Sequence, residues 1–256
     1  MPPIRIAFGQ FADWEGYIHA NLSPRFEPSF VDLAEASLDA FDAVIPLLIS
    51  NYEALGRHPE LRGRRFFHPS AEVTALCDDK LRLTQFLIAE GFAAYTPPLR
   101  ALGAPYPYVW KRRWGGWGEA CWFVGGPEDE RALDLTDPHW FAQAWTPGPV
   151  EYATHVLRVG GRTRYASTFA YEMGAEGLVR GQRHAPRETR FEPGCSHLDL
   201  FEAMLARLGY EGTACLNYKV EAGRPLIFEI NPRYGGSLCG DVTAYVEAYL
   251  AALDKS

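Results

Sequence analysis

The chain has 256 residues, 47% of them hydrophobic and 22% charged, with a formal net charge of −7. That apolar content over that length supports one large globular domain, or a domain with a smaller partner, and excludes disorder. The negative charge argues against a nucleic-acid partner, and the longest apolar run, AVIPLLI at 43–49, is far too short to span a bilayer. The opening MPPIRIAF lacks the basic start and apolar stretch of a secretion signal, so a cytoplasmic location is expected. Five scattered cysteines without CxxC spacing and seven histidines without HExxH point to neither a disulfide frame nor a zinc site.

Residues 4–8 (IRIAF) and 42–48 (DAVIPLL) read as short buried strands with a helical stretch around 31–40 between them, a small α/β unit filling residues 1–69. Ser70 is placed to cap a helix entering AEVTALC. DDKLRLTQFLIAEGF then reads as an amphipathic helix with Leu81, Thr84 or Gln85, Leu87 and Ile88 on its apolar face and Gly91 just past its end. From 106 the character changes: YPYVWK, RRWGGWG and EACWFV predict strand, loop and strand. EYATHVLRV and RTRYASTFAYE, split by Gly160-Gly161, predict a hairpin. HLDLFEAMLARL is a helix with Leu198, Phe201, Leu205 and Leu208 on one face, and TACLNYKV with LIFEIN forms a second hairpin before a last helix near 240–253. The order predicts an α/β start followed by a mostly antiparallel α+β region from 70 to 256, within which 106–145 stands as its own subdomain.

Strand alternation assigns faces in the second hairpin. Cys215, Asn217 and Lys219 share one side, and Ile227, Glu229 and Asn231 share one side of the returning strand. With EAGRP (221–225) as the connection, Val220 pairs with Leu226 and Asn217 falls opposite Glu229, Cβ atoms about 5 Å apart. Asn217, Glu229 and Asn231 would then form an oxygen-bearing cluster that suits Mg²⁺, or Mn²⁺ in its place. On pattern alone the same alternation also describes a solvated polar face. Three features favour the ion. Arg233 offers a fork of donors for phosphate or carboxylate, and Gly235-Gly236 after it would let a ligand approach the backbone. Lys111 feeds the glycine-rich RRWGGWG, as a phosphate clamp would. Lys80 opens its helix, though a lysine there is most often a solvated charge.

Taken in order, DKLRLTQFLIAEGF–PP, YVWKRRWGGWG, a QxW/EY segment and LNYKV…LIFEINPRYGGS resemble the ATP-grasp superfamily of carboxylate–amine and carboxylate–thiol ligases over roughly residues 70–240. The resemblance implies nucleotide held between two α+β subdomains, behind a shortened N-terminal α/β domain. It implies that Lys80, Lys111 and the turn with Gly115 and Gly116 contact ATP phosphates, that Gln143 to Trp145 is the linker whose backbone reads adenine, and that Glu151 lies near the ribose with Lys219 at the nucleotide. It makes Glu229 and Asn231 the Mg²⁺ pair and Arg233 the stabiliser of the transferred phosphoryl group. Asn217 stands where the family usually has an acid, and Lys111 is followed by Arg112 where the family commonly has proline.

The activity implied is ATP-dependent formation of an acyl phosphate from a small carboxylate, captured by an amine such as an amino acid or peptide, with ADP and phosphate released. The alternatives are an ATP-binding sensor or scaffold without turnover and a small-molecule kinase. The basic segment 178–191, with Arg180, Arg183, Arg187, Arg190 and His184, would recruit an anionic substrate, Arg183 the first choice, or would be a solvated loop or subunit interface. Trp114 and Trp117, inside the glycine loop, would cover the nucleotide or line an acceptor pocket, whereas Trp110 and Trp122 read as packing. Small-molecule substrates are the expected partners, with no nucleic acid or membrane; a homodimer stays open.

Overall fold

A computed structural model describes residues 2–58, 66–101, 105–116, 120–175, 179–181 and 184–255. The chain opens with β1 (Ile4–Gly9), α1 (Ala12–Asn21), β2 (Phe26–Val31), β3 (Ala43–Ile45) and α2 (Ser50–Gly56), and β1 pairs parallel with both β2 and β3. The expected helix at 31–40 is replaced by turns. The crossover helix is α1, which buries Trp14 and Ile18, one turn apart. FEPSFV makes β2, where Pro28 is tolerated because the strand lies at the sheet edge and its absent N–H has nothing to bond.

The helix expected after Ser70 is α3 (Ala71–Asp78), and the one expected from 78 starts instead at Lys80 as α4 (Lys80–Leu87), the two parted at Asp79, whose backbone is extended (φ −88°, ψ 96°). Ser70 caps α3 as expected, its Oγ accepting from Val73 N at 3.2 Å. Asp79 caps α4 through Leu81 N and Arg82 N, both at 3.2 Å. Restarting the helix at Lys80 turns Leu83, Thr84 and Leu87 inward and leaves Ile88 at the surface, which corrects the expected stripe. Gly91, at φ +89°, sits in the left-handed region that ends this stretch.

A four-stranded antiparallel sheet follows: β4 (Leu99–Arg100), β5 (Tyr108–Arg112), β6 (Cys121–Val124) and β7 (Trp140–Ala144), in the order β4-β7-β5-β6, with short α5 (Pro127–Glu130) between β6 and β7. Trp110 and Trp122 belong to its own small core with Tyr108, Val124 and Ala142. The third sheet, β10-β9-β8-β11-β12, joins β8 (Val150–Val159), β9 (Arg162–Glu172), β10 (Glu188–Pro193), β11 (Gly212–Glu221) and β12 (Arg224–Asn231). Gly160 and Gly161, both at positive φ, turn β8 into β9 as expected, with Val159 paired to Arg162. Part of the basic segment forms the edge strand β10, with Arg187 and Arg190 exposed; Arg183 and Trp117 lie outside the described residues.

The second hairpin departs from its expected register and then recovers it. Its loop is Ala222-Gly223 alone, so Glu221 pairs with Arg224 and Val220 with Pro225, not with Leu226. One extra residue in β12, Phe228, makes a bulge between the pairs Tyr218–Ile227 and Asn217–Glu229. The shorter loop and the bulge cancel, so Asn217 does face Glu229. Ile227, expected on the Glu229 side, is instead in the core with Ile230, Leu216 and Tyr218. α6 (Leu198–Arg207) lays Phe201, Met204 and Leu205 on that face. α7 (Val242–Leu253) packs Tyr245, Val246 and Tyr249 with Ile6, Phe8 and Ile45 of the first sheet. Among the described residues no helix is long and apolar enough to cross a membrane.

Candidate active site

The second and third sheets and the start of α1 enclose a cleft of about 650 Å³. Alternation along β11 and the bulge in β12 aim Asn217, Lys219, Glu229 and Asn231 into it. β5 supplies Lys111, α4 supplies Lys80 from its first turn, and the segment after β12 supplies Arg233. Gly115, Gly116, Gln143, Trp145, Glu151, Gly235 and Gly236 line the same space, so every described residue of the expected set meets in one place.

Glu229 is the electrostatic centre. Lys80 Nζ lies 3.6 Å from its Oε2, and the amides of Asn217 and Asn231 donate to its Oε1 at 2.7 and 3.0 Å. Burial alone would raise this carboxyl, but the Lys80 charge, the Asn231 amide, Lys111 and Asn217 outweigh it and bring it down to about 2. Lys111, 7% exposed, donates from Nζ to the carbonyl of the bulged Phe228 at 3.1 Å and faces the Phe141 ring; burial lowers its pKa to about 8. Lys80 Nζ also donates to the Gly115 carbonyl, and a Cβ on Gly116 would stand 3.3 Å from Arg233 Nη2, so the glycine turn lies folded over the cations. Trp114 lines the cleft under the guanidinium of Arg113.

One carboxylate with two amides is a set of hard oxygen donors. It suits a divalent cation that takes its remaining ligands from phosphate and water, not one caged by protein alone. Among the described residues no group of three His, Cys, Asp or Glu forms a metal cluster. Both amides now turn nitrogen toward Glu229, so each would rotate to present oxygen to an ion beside it.

Several residues take positions that the sequence did not reveal. Arg180 reaches in to pair through Nε with Glu151 Oε1 at 2.8 Å, lies over the Tyr171 ring and approaches Asn217 Oδ1 at 3.4 Å. It belonged to the basic segment, but nothing in its spacing set it apart from the other arginines. Lys219 donates to the carbonyls of Thr146 and Gly148 at 3.2 and 2.8 Å and stacks on Trp145, and Gln143 donates to Pro97 O at 2.8 Å; both side chains fix the linker 143–148. Gly235 and Gly236 make room for the protein's own side chains: a Cβ would meet His155 Cε1 at 2.4 Å at the first and Trp14 Nε1 at 3.0 Å at the second.

No protein-family model matches the chain, and no curated protein sequence matches it. Solved structures do. The chain is similar to D-alanine–D-alanine ligase from Bacillus anthracis in complex with ATP (TM-score 0.62, 14% identity, 100% of this chain and 98% of that one). It is similar to an L-amino acid ligase from Bacillus licheniformis (0.61, 16%, 94% and 69%) and to biotin carboxylase from Campylobacter jejuni (0.66, 14%, 98% and 70%). At such identities the likeness carries the architecture and not the substrate. With these neighbours and this α+β arrangement of sheets, the chain has the ATP-grasp fold.

Proposed function

We propose that the protein is an ATP-dependent ligase that converts a small carboxylate to an acyl phosphate and transfers the acyl group to an amine. The observation that carries the reading is the convergence, in one cleft, of two lysines, an ionised glutamate between two amides, and an arginine under a glycine turn. In this reading Lys80 and Lys111 bind the nucleotide phosphates, the Gln143–Trp145 backbone reads the base, and Glu151 accepts from the ribose on sites left by Arg180. Glu229 and Asn231, with Asn217 beside them, would hold Mg²⁺, which supplies charge neutralisation at the phosphates. Arg233 pairs with the carboxylate and with the phosphoryl group passing to it. Gly115 and Gly116 cover the cations and keep out water that would hydrolyse the acyl phosphate. No protein nucleophile takes part. We take residues 1–69 as the shortened N-terminal domain and 70–256 as the nucleotide-binding one.

Asn217 favours a second reading, nucleotide binding without turnover, because an amide offers less charge than the acid expected there. The two separate on ADP release by the purified chain with Mg²⁺-ATP, tested against pooled amino acids and small carboxylic acids. Release that depends on a pool and falls by about 10²-fold or more in Glu229→Gln is expected. ATP binding without release in any pool would favour the second reading, and turnover intact in Glu229→Gln would sink the metal assignment. A kinase would leave a phosphorylated product by phosphorus NMR where a ligase leaves free phosphate.

A further inference from the structure

His155 lies two residues beyond Ala153 and four beyond Glu151 on β8, so its ring turns to the side of the sheet that bounds the cleft. It is fully buried, with Nε2 at 2.7 Å from Ser237 Oγ, in the turn that follows Gly235-Gly236. Its other nitrogen, Nδ1, is buried without a hydrogen-bond partner among the described residues. Neither residue has a part in the nucleotide chemistry above.

A buried N–H with no acceptor is rarer than a buried lone pair with no donor, so the imidazole proton belongs on Nε2, which then donates to Ser237 Oγ. The ring stays neutral, since burial, then the charges of Arg180 and Arg233, lower its pKa to about 3. A serine hydroxyl has two lone pairs and one proton. With one lone pair taken by the imidazole N–H, the hydroxyl proton can be offered to the cleft, which Ser237 lines together with Arg233. The arrangement is held tightly, because the imidazole packs on the bare Cα of Gly235 and meets Phe169 edge-on at 5.8 Å.

We propose that Ser237 donates a hydrogen bond to an oxygen of the carboxylate substrate beside Arg233, and that His155 is the positioning residue that fixes the serine as a donor. The assignment rests on the ligase reading, in which Arg233 faces that carboxylate. One carboxylate oxygen attacks the γ-phosphorus as the bond from that phosphorus to the bridging oxygen breaks and ADP leaves, and the other oxygen keeps the bond from Ser237. When the amine adds to the acyl phosphate, that second oxygen takes the negative charge and the same donor stabilises it; the adduct then reforms its C=O, expelling phosphate, and the amine proton passes to the phosphate or solvent. The serine keeps its proton throughout, and no bond to protein forms.

The test uses the full chain labelled with ¹⁵N-histidine, long-range proton–nitrogen spectra, and acetate, succinate and alanine as probes, each with and without Mg²⁺ and AMP-PNP. His155→Gln assigns the signal. The expected result is an Nε2–H tautomer constant between about pH 5 and 9. At least one probe should shift the His155 resonances in the parent, and Ser237→Ala should lose that response while Ser237→Thr keeps it. Affinity for that probe, measured by calorimetry, should fall about tenfold in His155→Phe. It should be largely rescued in His155→Gln, whose amide can donate from the same place. An Nδ1–H tautomer, an unchanged response in Ser237→Ala, or no shift with any probe while AMP-PNP binds would each overturn the serine assignment and leave the nucleotide reading standing. Failure of AMP-PNP to bind would overturn that reading and the proposal with it.

Discussion

Lys111 is held as a buried cation and the fold bears the cost; in the ligase reading its charge serves the phosphates. Its pKa falls from the ordinary 10.5 to about 8, chiefly through burial. The unfolded chain therefore binds more protons between those two values, so stability rises with pH across that window and is lower below pH 8 by up to about 3 kcal/mol. Lys111→Met removes the desolvation but also one of the charges that hold Glu229 ionised, and Lys80 remains to do so. The expected net effect is a gain of about 1–2 kcal/mol in denaturant unfolding of the ligand-free protein, with nucleotide binding lost. Phosphate would raise the pKa of the bound lysine, so in the parent ATP affinity should weaken as pH climbs above about 8. A Lys111→Met protein less stable than the parent, or an ATP affinity flat from pH 7 to 10, would count against a charged Lys111 in the empty cleft. Glu229 carries the opposite sign: with a folded pKa near 2 against an ordinary 4.5, its contribution is present above pH 4.5 and is lost as pH falls toward 2.

At the scale of elements, Asp79 joins the two lysine-bearing segments. The same carboxylate caps α4 and pairs with Arg113, whose Nε and Nη2 lie 3.1 and 2.5 Å away, and Lys80 N donates to Arg113 O at 3.0 Å. Lys80 and the start of the glycine turn are therefore tied to the same carboxylate and to each other. Asp79→Asn should cost about 1–2 kcal/mol, since the partly exposed Arg113 loses its charged partner and the α4 cap is weakened. It should also weaken AMP-PNP binding although Asp79 does not line the cleft. Glu128→Gln, in an exposed pair with Arg131, should cost under about 0.5 kcal/mol, and equal effects of the two would refute the coupling. None of this was legible beforehand, because DDKLRLTQ reads as continuous helix until the extended backbone of Asp79 is seen. The second hairpin shows another limit. Ala222 adopts a left-handed φ of +49°, which an Ala-Gly pair does not advertise as Asn-Gly would, and a bulge carries no residue signature in IFEI. The facing of Asn217 and Glu229 was read correctly only because the two unseen features compensate. The glycine-pair hairpin, where both turn residues favour positive φ, was read as a hairpin with its turn, while the bulge that skips Arg164 opposite Leu157 and Arg158 was not.

At the scale of the whole molecule, the first sheet and its helices form the wall behind Arg233. Tyr52 in α2 donates to the carbonyl of Pro232 at 2.7 Å across 180 residues of sequence, Trp14 fills the space beside Gly236, and Tyr234 is buried in the core shared by β1 and α7. The motif EINPRYGGS stood out in the sequence because an acid, an amide, an arginine and a glycine pair fall within nine residues. Its support was not legible, because Tyr52 and Trp14 reach it only through the fold, and an aromatic in an apolar stretch says nothing of which distant carbonyl it meets. The tether has a measurable consequence. Tyr52→Phe keeps the ring and leaves the Pro232 carbonyl without its donor, at a cost of about 1–2 kcal/mol to stability. Pro232 precedes Arg233, so the loosened turn should slow ADP release by about tenfold with the responsive acid pool while AMP-PNP binds within about twofold of the parent. Slowed release with intact nucleotide binding would make the N-terminal unit part of the substrate side of the cleft. Unchanged release would mean that the packing of Tyr234 alone holds Arg233 in place.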